Sequence, residues 1–147
     1  MATHARQPVK LSPTLLYDGT CGFCNWNVQF VLRHERESHL RFAALESDYG
    51  NATLERHPEV KGVDSVVWLE PACEGRPERV YVRSDAALRV ISYLGGRWRL
   101  LLMLGKLVPK RVRDAIYDLV ARHRHRILGR EEQCFLPPST VRHRFLD

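Results

Sequence analysis

The sequence predicts an α/β protein, a mixed β-sheet flanked by helices and followed by a helical C-terminal extension. Three observations predict it. Short apolar runs bounded by turn residues alternate with amphipathic helical patterns, in the order β-α-β, a mixed linker, then β-β-α. A glycine turn joins the first strand to the first helix, and two cysteines spaced by two residues, Cys21 and Cys24, sit at that junction. Beyond this unit, an apolar segment and a long amphipathic pattern carry only helical spacing.

Residues 1–12 read as a polar lead-in that ends at Pro13, and Thr14 to Tyr17 as a short central strand, since it does not alternate. Gly19 permits a sharp turn, and Asp18 or Thr20 can cap the helix that runs from about Gly22 to Glu35. Cys24, Val28, Val31 and Leu32 fall on one face of that helix, so Cys24 begins the buried stripe while Cys21 sits at its exposed tip. Leu40 to Leu45 is a second strand. From Glu46 to Gly62 the pattern is mixed, with one short helix ending at Pro58.

Asp64 to Glu70 contains Val66-Val67-Trp68-Leu69, the strongest β run, and Arg79 to Arg83 returns antiparallel to it after a polar turn. Ser84 or Asp85 then caps a helix that stops at Gly95-Gly96. Trp98 to Val108 reads as a buried helix. A final helix starts at Pro109 and carries Val112, Ile116, Leu119, Val120, His123 and Ile127 as a stripe facing the sheet. Residues 13–130 thus form one domain including the helical extension, and residues 131–147 read as a tail.

The bulk properties exclude several classes. At 147 residues the chain can bury a real core, and 44% hydrophobic with 27% charged residues is a globular composition. Four cysteines are too few for a disulfide scaffold, and the polar stretch Met1 to Lys10 lacks the apolar core of a signal peptide. No run reaches the ~20 apolar residues of a membrane-spanning helix. Trp98 to Val108 is too short and is interrupted by Arg99, Gly105 and Lys106. A reducing cytoplasmic setting follows as the expectation, in which paired thiols serve catalysis or metal binding. The net charge of +6 bears on solubility and association rather than on fold.

A CxxC at a strand-to-helix turn reads as a thioredoxin-like redox motif. The first thiol lies near unpaired helix N–H groups whose partial positive charge favours a thiolate. Cys21 is therefore the expected nucleophile and Cys24 the resolving thiol. Asp18 is a candidate base for the Cys24 proton, or a turn residue. Phe23 can offer an apolar contact to substrate. No nucleotide, flavin or other cofactor is needed for the exchange.

The stretch Tyr17-Asp18-Gly19-Thr20-Cys21-Gly22-Phe23-Cys24, followed by Asn25, Val28 and Phe30, resembles the DCC family of thiol-disulfide oxidoreductases, whose signature is an aspartate three residues before a CxxC. The resemblance continues through Asp64-Ser65-Val66-Val67, Arg83-Ser84-Asp85-Ala86-Ala87 and Val108-Pro109-Lys110-Arg111-Val112-Arg113-Asp114. Tyr117, Arg122-His123-Arg124 and Cys134-Phe135-Leu136-Pro137 extend it. It implies a thioredoxin-like fold and a dithiol acting on disulfide substrates, reset by an external thiol reductant.

Thioredoxins carry a cis-proline before a sheet strand, beside their cysteines, and Val63-Asp64-Ser65 holds that place here without proline. A cis bond without proline costs about 2.5–4 kcal/mol, so a trans loop is expected. Asp64 and Ser65 are then candidate substrate contacts, and a small disulfide or one dedicated partner suits the site better than extended protein chains.

Two competing readings use the same residues. A zinc site needs two further ligands, and neither Cys73, Cys134 nor the seven histidines show the spacing of a second knuckle. The basic C-terminal region, with Lys110, Arg111, Arg113, Arg122, Arg124, Arg126 and Arg130, can be a docking face. Asp114 and Asp118 interrupt it and no nucleic-acid motif accompanies it, so a solvated helix face is the expectation. Together these define the alternative, a binding module on a thioredoxin-like scaffold.

Overall fold

A computed structural model describes residues 12–19, 22–62, 66–73, 75–128, 137 and 139–146, with backbone only at 22, 23, 124, 125, 127 and 128. Five strands form one sheet in the order β4-β3-β1-β2-β5. Strand β1 (Thr14–Tyr17) is central and buried along its whole length, which explains its unbroken apolar sequence. It pairs in parallel with β2 (Arg41–Ala44) and antiparallel with β3 (Val67–Glu70). β3 pairs antiparallel with β4 (Arg79–Val82), as the hairpin reading expects, from Val67 opposite Val82 to Glu70 opposite Arg79. This mixed sheet, with helices on its faces, is the predicted thioredoxin-like arrangement.

The pleat divides the core. Leu15, Tyr17, Phe42 and Trp68 join a cluster with Cys24, Val28 and Val31 of α1 (Gly22–His34) and with Ala86 and Leu94 of α3 (Arg83–Leu94). Leu16, Ala43 and Val67 point to the other face, where Tyr49 of α2 (Asp48–Arg56) packs. Ser47 caps α2 by accepting the Gly50 N–H at 3.0 Å. A 3-10 turn at Pro58–Val60 follows it. The main-chain turn after β2 passes so close to Gly50 that a Cβ there would overlap the Ala44 carbonyl oxygen.

Helix α3 begins at Arg83, with Val82 in the cap position and no side-chain cap bond. Ser84 and Asp85, expected as caps, are drawn instead toward α5 (Lys110–Leu128). The Ser84 hydroxyl donates to the Asp114 carboxylate, and Lys110 Nζ lies 2.8 Å from Asp85. Gly95 and Gly96, both at positive φ, end α3 as expected.

Two helical expectations are corrected. Helix α4 (Trp98–Leu107) has no buried residue. Trp98, Leu102 and Gly105 share its inner side, where Gly105 approaches the Leu88 side chain, but Leu100, Met103, Leu104 and Leu107 are exposed. In α5, Val112, Ile116, Leu119 and Val120 are exposed as well, rather than packed on the sheet. The physical reason is occupancy. α1 and α3 already cover that face of the sheet, so α4 docks on α3, while α5 lies against α1 and α3.

The last residues correct the tail reading. Arg142–Arg144 forms a 3-10 turn, and Phe145–Leu146 supplies β5, parallel to β2 through Phe42 and Ala43.

Candidate active site at the β1–α1 turn

The turn that follows β1 is held from two sides. The Gly19 carbonyl accepts from Asn25 Nδ2 at 3.3 Å, and the Gly19 N–H donates to Glu46 Oε2 at 3.3 Å. Asn25 is fully buried in α1. Glu46 comes from the turn after β2, which the register Tyr17 opposite Ala44 brings level with Gly19. Both groups of the Gly19 peptide are thus tied to neighbouring elements, which fixes where α1 begins relative to the sheet.

Cys24 is the third residue of α1 and is 3% exposed. Its place among Leu15, Tyr17 and Val28 matches the expected sheltered position. Its helix has no acidic residue in the first turn, so no carboxylate there opposes the field of the N-terminal N–H groups. Cys24 also lies on the wall of an apolar cavity of about 620 Å³. Phe30, Val31, Val66, Leu101, Ile116 and Val120 line it. A compact apolar molecule fits such a space, and at Cys24 it would meet sulfur.

Asp18 is half-buried at the end of β1, in the same turn. Cys21, the Phe23 side chain, Asp64, Ser65 and Cys134 lie outside the described residues, so of the six expected site residues only Asp18 and Cys24 are described. Trp26 is exposed and tilts on Phe30 at 5.3 Å. Phe30 stacks on His34 at 4.2 Å and meets the edge of Trp98 at 5.3 Å, tying α4 to α1. Cys73 is exposed in the β3–β4 hairpin turn. Among the described residues, no group of three or more His, Cys, Asp or Glu side chains is placed to hold a metal ion.

Sequence reasoning gave Asn25 no role of its own and passed over Glu46. The signal for Glu46 was present in the βαβ order, since a parallel β2 delivers its following turn beside the turn that follows β1.

The model of the DCC1-like thiol-disulfide oxidoreductase family matches residues 15–130. This chain belongs to that family. The DCC-family member is 35% identical over 133 residues to the uncharacterized protein YuxK of Bacillus subtilis (strain 168), covering 90% of this chain and 92% of that protein. It is also 34% identical over 125 residues to a chloroplastic DCC family protein of Arabidopsis thaliana, covering 84% of this chain and 69% of that one. No solved structure matches the chain. The resemblance read from the DxxCxxC stretch is borne out at the level of the family, and with it a general thiol-disulfide oxidoreductase role.

Proposed function

We propose that this DCC-family protein is an enzyme that reduces disulfides with the Cys21–Cys24 dithiol, in a reducing cytoplasmic setting. The Cys21 thiolate attacks one sulfur of the substrate disulfide. That S–S bond breaks, a mixed disulfide forms on Cys21, and the departing thiolate takes a proton from solvent. Cys24 then loses its proton to Asp18 and attacks the Cys21 sulfur. The mixed disulfide breaks, the second substrate sulfur leaves as a thiolate that takes up a proton, and the protein is left with a Cys21–Cys24 disulfide. Two electrons have passed to the substrate, and an external thiol reductant restores the pair.

The observation that carries this reading is the position of Cys24, buried at the first turn of α1 and facing an apolar cavity. A resolving thiol should be sheltered from solvent oxidants yet open to the bond it must attack. Phe23, Asp64 and Ser65 are the proposed substrate contacts, and the apolar cavity favours a small disulfide over an extended chain.

Trapping tests it. Cys24→Ser should stall on the mixed disulfide, leaving substrate covalently bound to Cys21 and recoverable by mass spectrometry, while Cys21→Ser captures nothing. Wild-type protein that neither turns over model disulfides nor forms the internal disulfide would refute the proposal.

A further inference from the structure

The outward side of α4 is a second feature that the thiol chemistry does not use. Leu100, Met103, Leu104 and Leu107 form one stripe along it, with exposures of 66%, 64%, 53% and 81%. A helix that is apolar on nearly every side is normally buried. Here only one flank is polar, where Arg99 and Lys106, seven residues apart, border the stripe together. Arg97 and Arg111 are exposed at either end.

Charge decides what can cover such a stripe. From Ala86 to Arg113 the sequence contains no Asp or Glu, and Arg97, Arg99, Lys106, Lys110 and Arg111 fall around α4. Lys110 is engaged by Asp85 at 2.8 Å and the Arg97 guanidinium lies over the Trp98 ring at 5.3 Å, which leaves Arg99, Lys106 and Arg111 exposed around the leucines. A second copy of the chain docked antiparallel on this stripe would set Arg99 and Lys106 beside their own counterparts, and in either orientation α4 brings cations and no carboxylate to the contact. An anionic lipid surface meets both requirements, since acyl chains accept the leucines and headgroups pair with the cations. Lys106 and Arg99 have stems long enough to lie along the apolar surface while their heads reach the headgroups. No helix among the described residues is long and apolar enough to cross a membrane, so this contact is peripheral.

We infer that α4 lies flat on the surface of an anionic phospholipid bilayer, inserting Leu100, Met103, Leu104 and Leu107 between headgroups, with Arg99 and Lys106 as the electrostatic anchor. Leu101, also exposed, lines the apolar cavity as well, so the docked face continues to the cavity mouth.

Vesicle flotation with the full chain tests this. The protein should float with vesicles of phosphatidylcholine containing phosphatidylglycerol and remain behind with phosphatidylcholine alone. Salt should weaken the binding. Leu104→Gln/Leu107→Gln and Arg99→Gln/Lys106→Gln should each reduce it about tenfold or more, with unchanged circular dichroism because the altered side chains are exposed. Failure of the wild type to float overturns the inference. So does undiminished binding of the leucine variant, which would reduce the contact to charge alone. Self-association of the wild type that the leucine variant abolishes, without flotation, would assign the stripe to a second copy and overturn the lipid reading.

Discussion

Arg144 holds the Glu35 carboxylate with both terminal guanidinium nitrogens, Nη1 to Oε1 at 2.6 Å and Nη2 to Oε2 at 2.7 Å, across 109 residues of sequence. Both side chains are almost fully buried, at 6% and 7% exposure. Arg144 Nε donates in addition to the Leu40 carbonyl at 2.9 Å. The pair joins the end of α1, the entry to β2 and the start of β5 at one point. Removing either partner leaves an uncompensated buried charge, whereas replacing both with apolar groups does not. Arg144→Met should therefore cost about 3–5 kcal/mol in urea unfolding, and Glu35→Leu/Arg144→Met should recover most of that loss. Additive losses in the double variant would show that the pair is not coupled.

Tyr93 completes this cluster. Its hydroxyl lies 2.7 Å from Glu35 Oε2 and 2.7 Å from the Glu37 carbonyl, and it accepts from the Leu40 N–H at 3.3 Å. Burial, reinforced by the Glu35 carboxylate, pushes its pKa well above the ordinary tyrosine value near 10. The folded state therefore retains the proton where the unfolded chain gives it up. The associated stability is fully present below about pH 10 and falls as pH rises toward the folded value. Tyr93→Phe should lower stability at neutral pH by about 1 kcal/mol and flatten its decline in alkali. An alkaline slope identical to the wild type would contradict this assignment.

Gly50 is required by space. A Cβ there would also come within 2.6 Å of the Leu45 carbonyl oxygen, which is backbone and cannot swing aside. Gly50→Ala improves helix propensity yet should destabilise by about 1–3 kcal/mol, because α2 must move off the β2 turn. Thermal melting decides the sign, and a stabilised variant would show that the turn yields.

Asp18→Asn separates two roles for that side chain. As the acceptor of the Cys24 proton, its loss should slow resolution of a preformed mixed disulfide by about a hundredfold, with partial recovery at high pH. As a turn residue only, the variant would keep the wild-type pH–rate profile and lose stability instead.

The sequence was most legible where local pattern and tertiary role agree. The unbroken apolar run at Thr14 to Tyr17 marked the central strand, and the spacing of Cys24, Val28 and Val31 marked the buried face of α1. Periodicity misled at α4 and α5, because it reports that a helix has an apolar side and not whether anything covers it. Leu107 is as apolar as Leu94, but only Leu94 finds a core. Ser84 and Asp85 resembled caps because capping residues and interhelix ligands are the same residue types. Phe145–Leu146 escaped notice as a strand because two residues carry no period, and their pairing depends on Phe42 and Ala43 about a hundred residues earlier. At the site, the CxxC stretch pointed to the family, whereas the bond from Gly19 to Glu46 required knowing that β1 and β2 run side by side.

The short β5 also has a bearing on solubility. Without it, β2 would be the margin of the sheet, presenting unpaired main-chain groups beside the buried Phe42 and Ala43. An open apolar strand margin of that kind templates pairing with other chains. Two residues give little pairing of their own, so what keeps them in place is the guanidinium of the preceding residue. Variants that loosen Arg144 should therefore form intermolecular β-structure under mild conditions, before the rest of the domain melts.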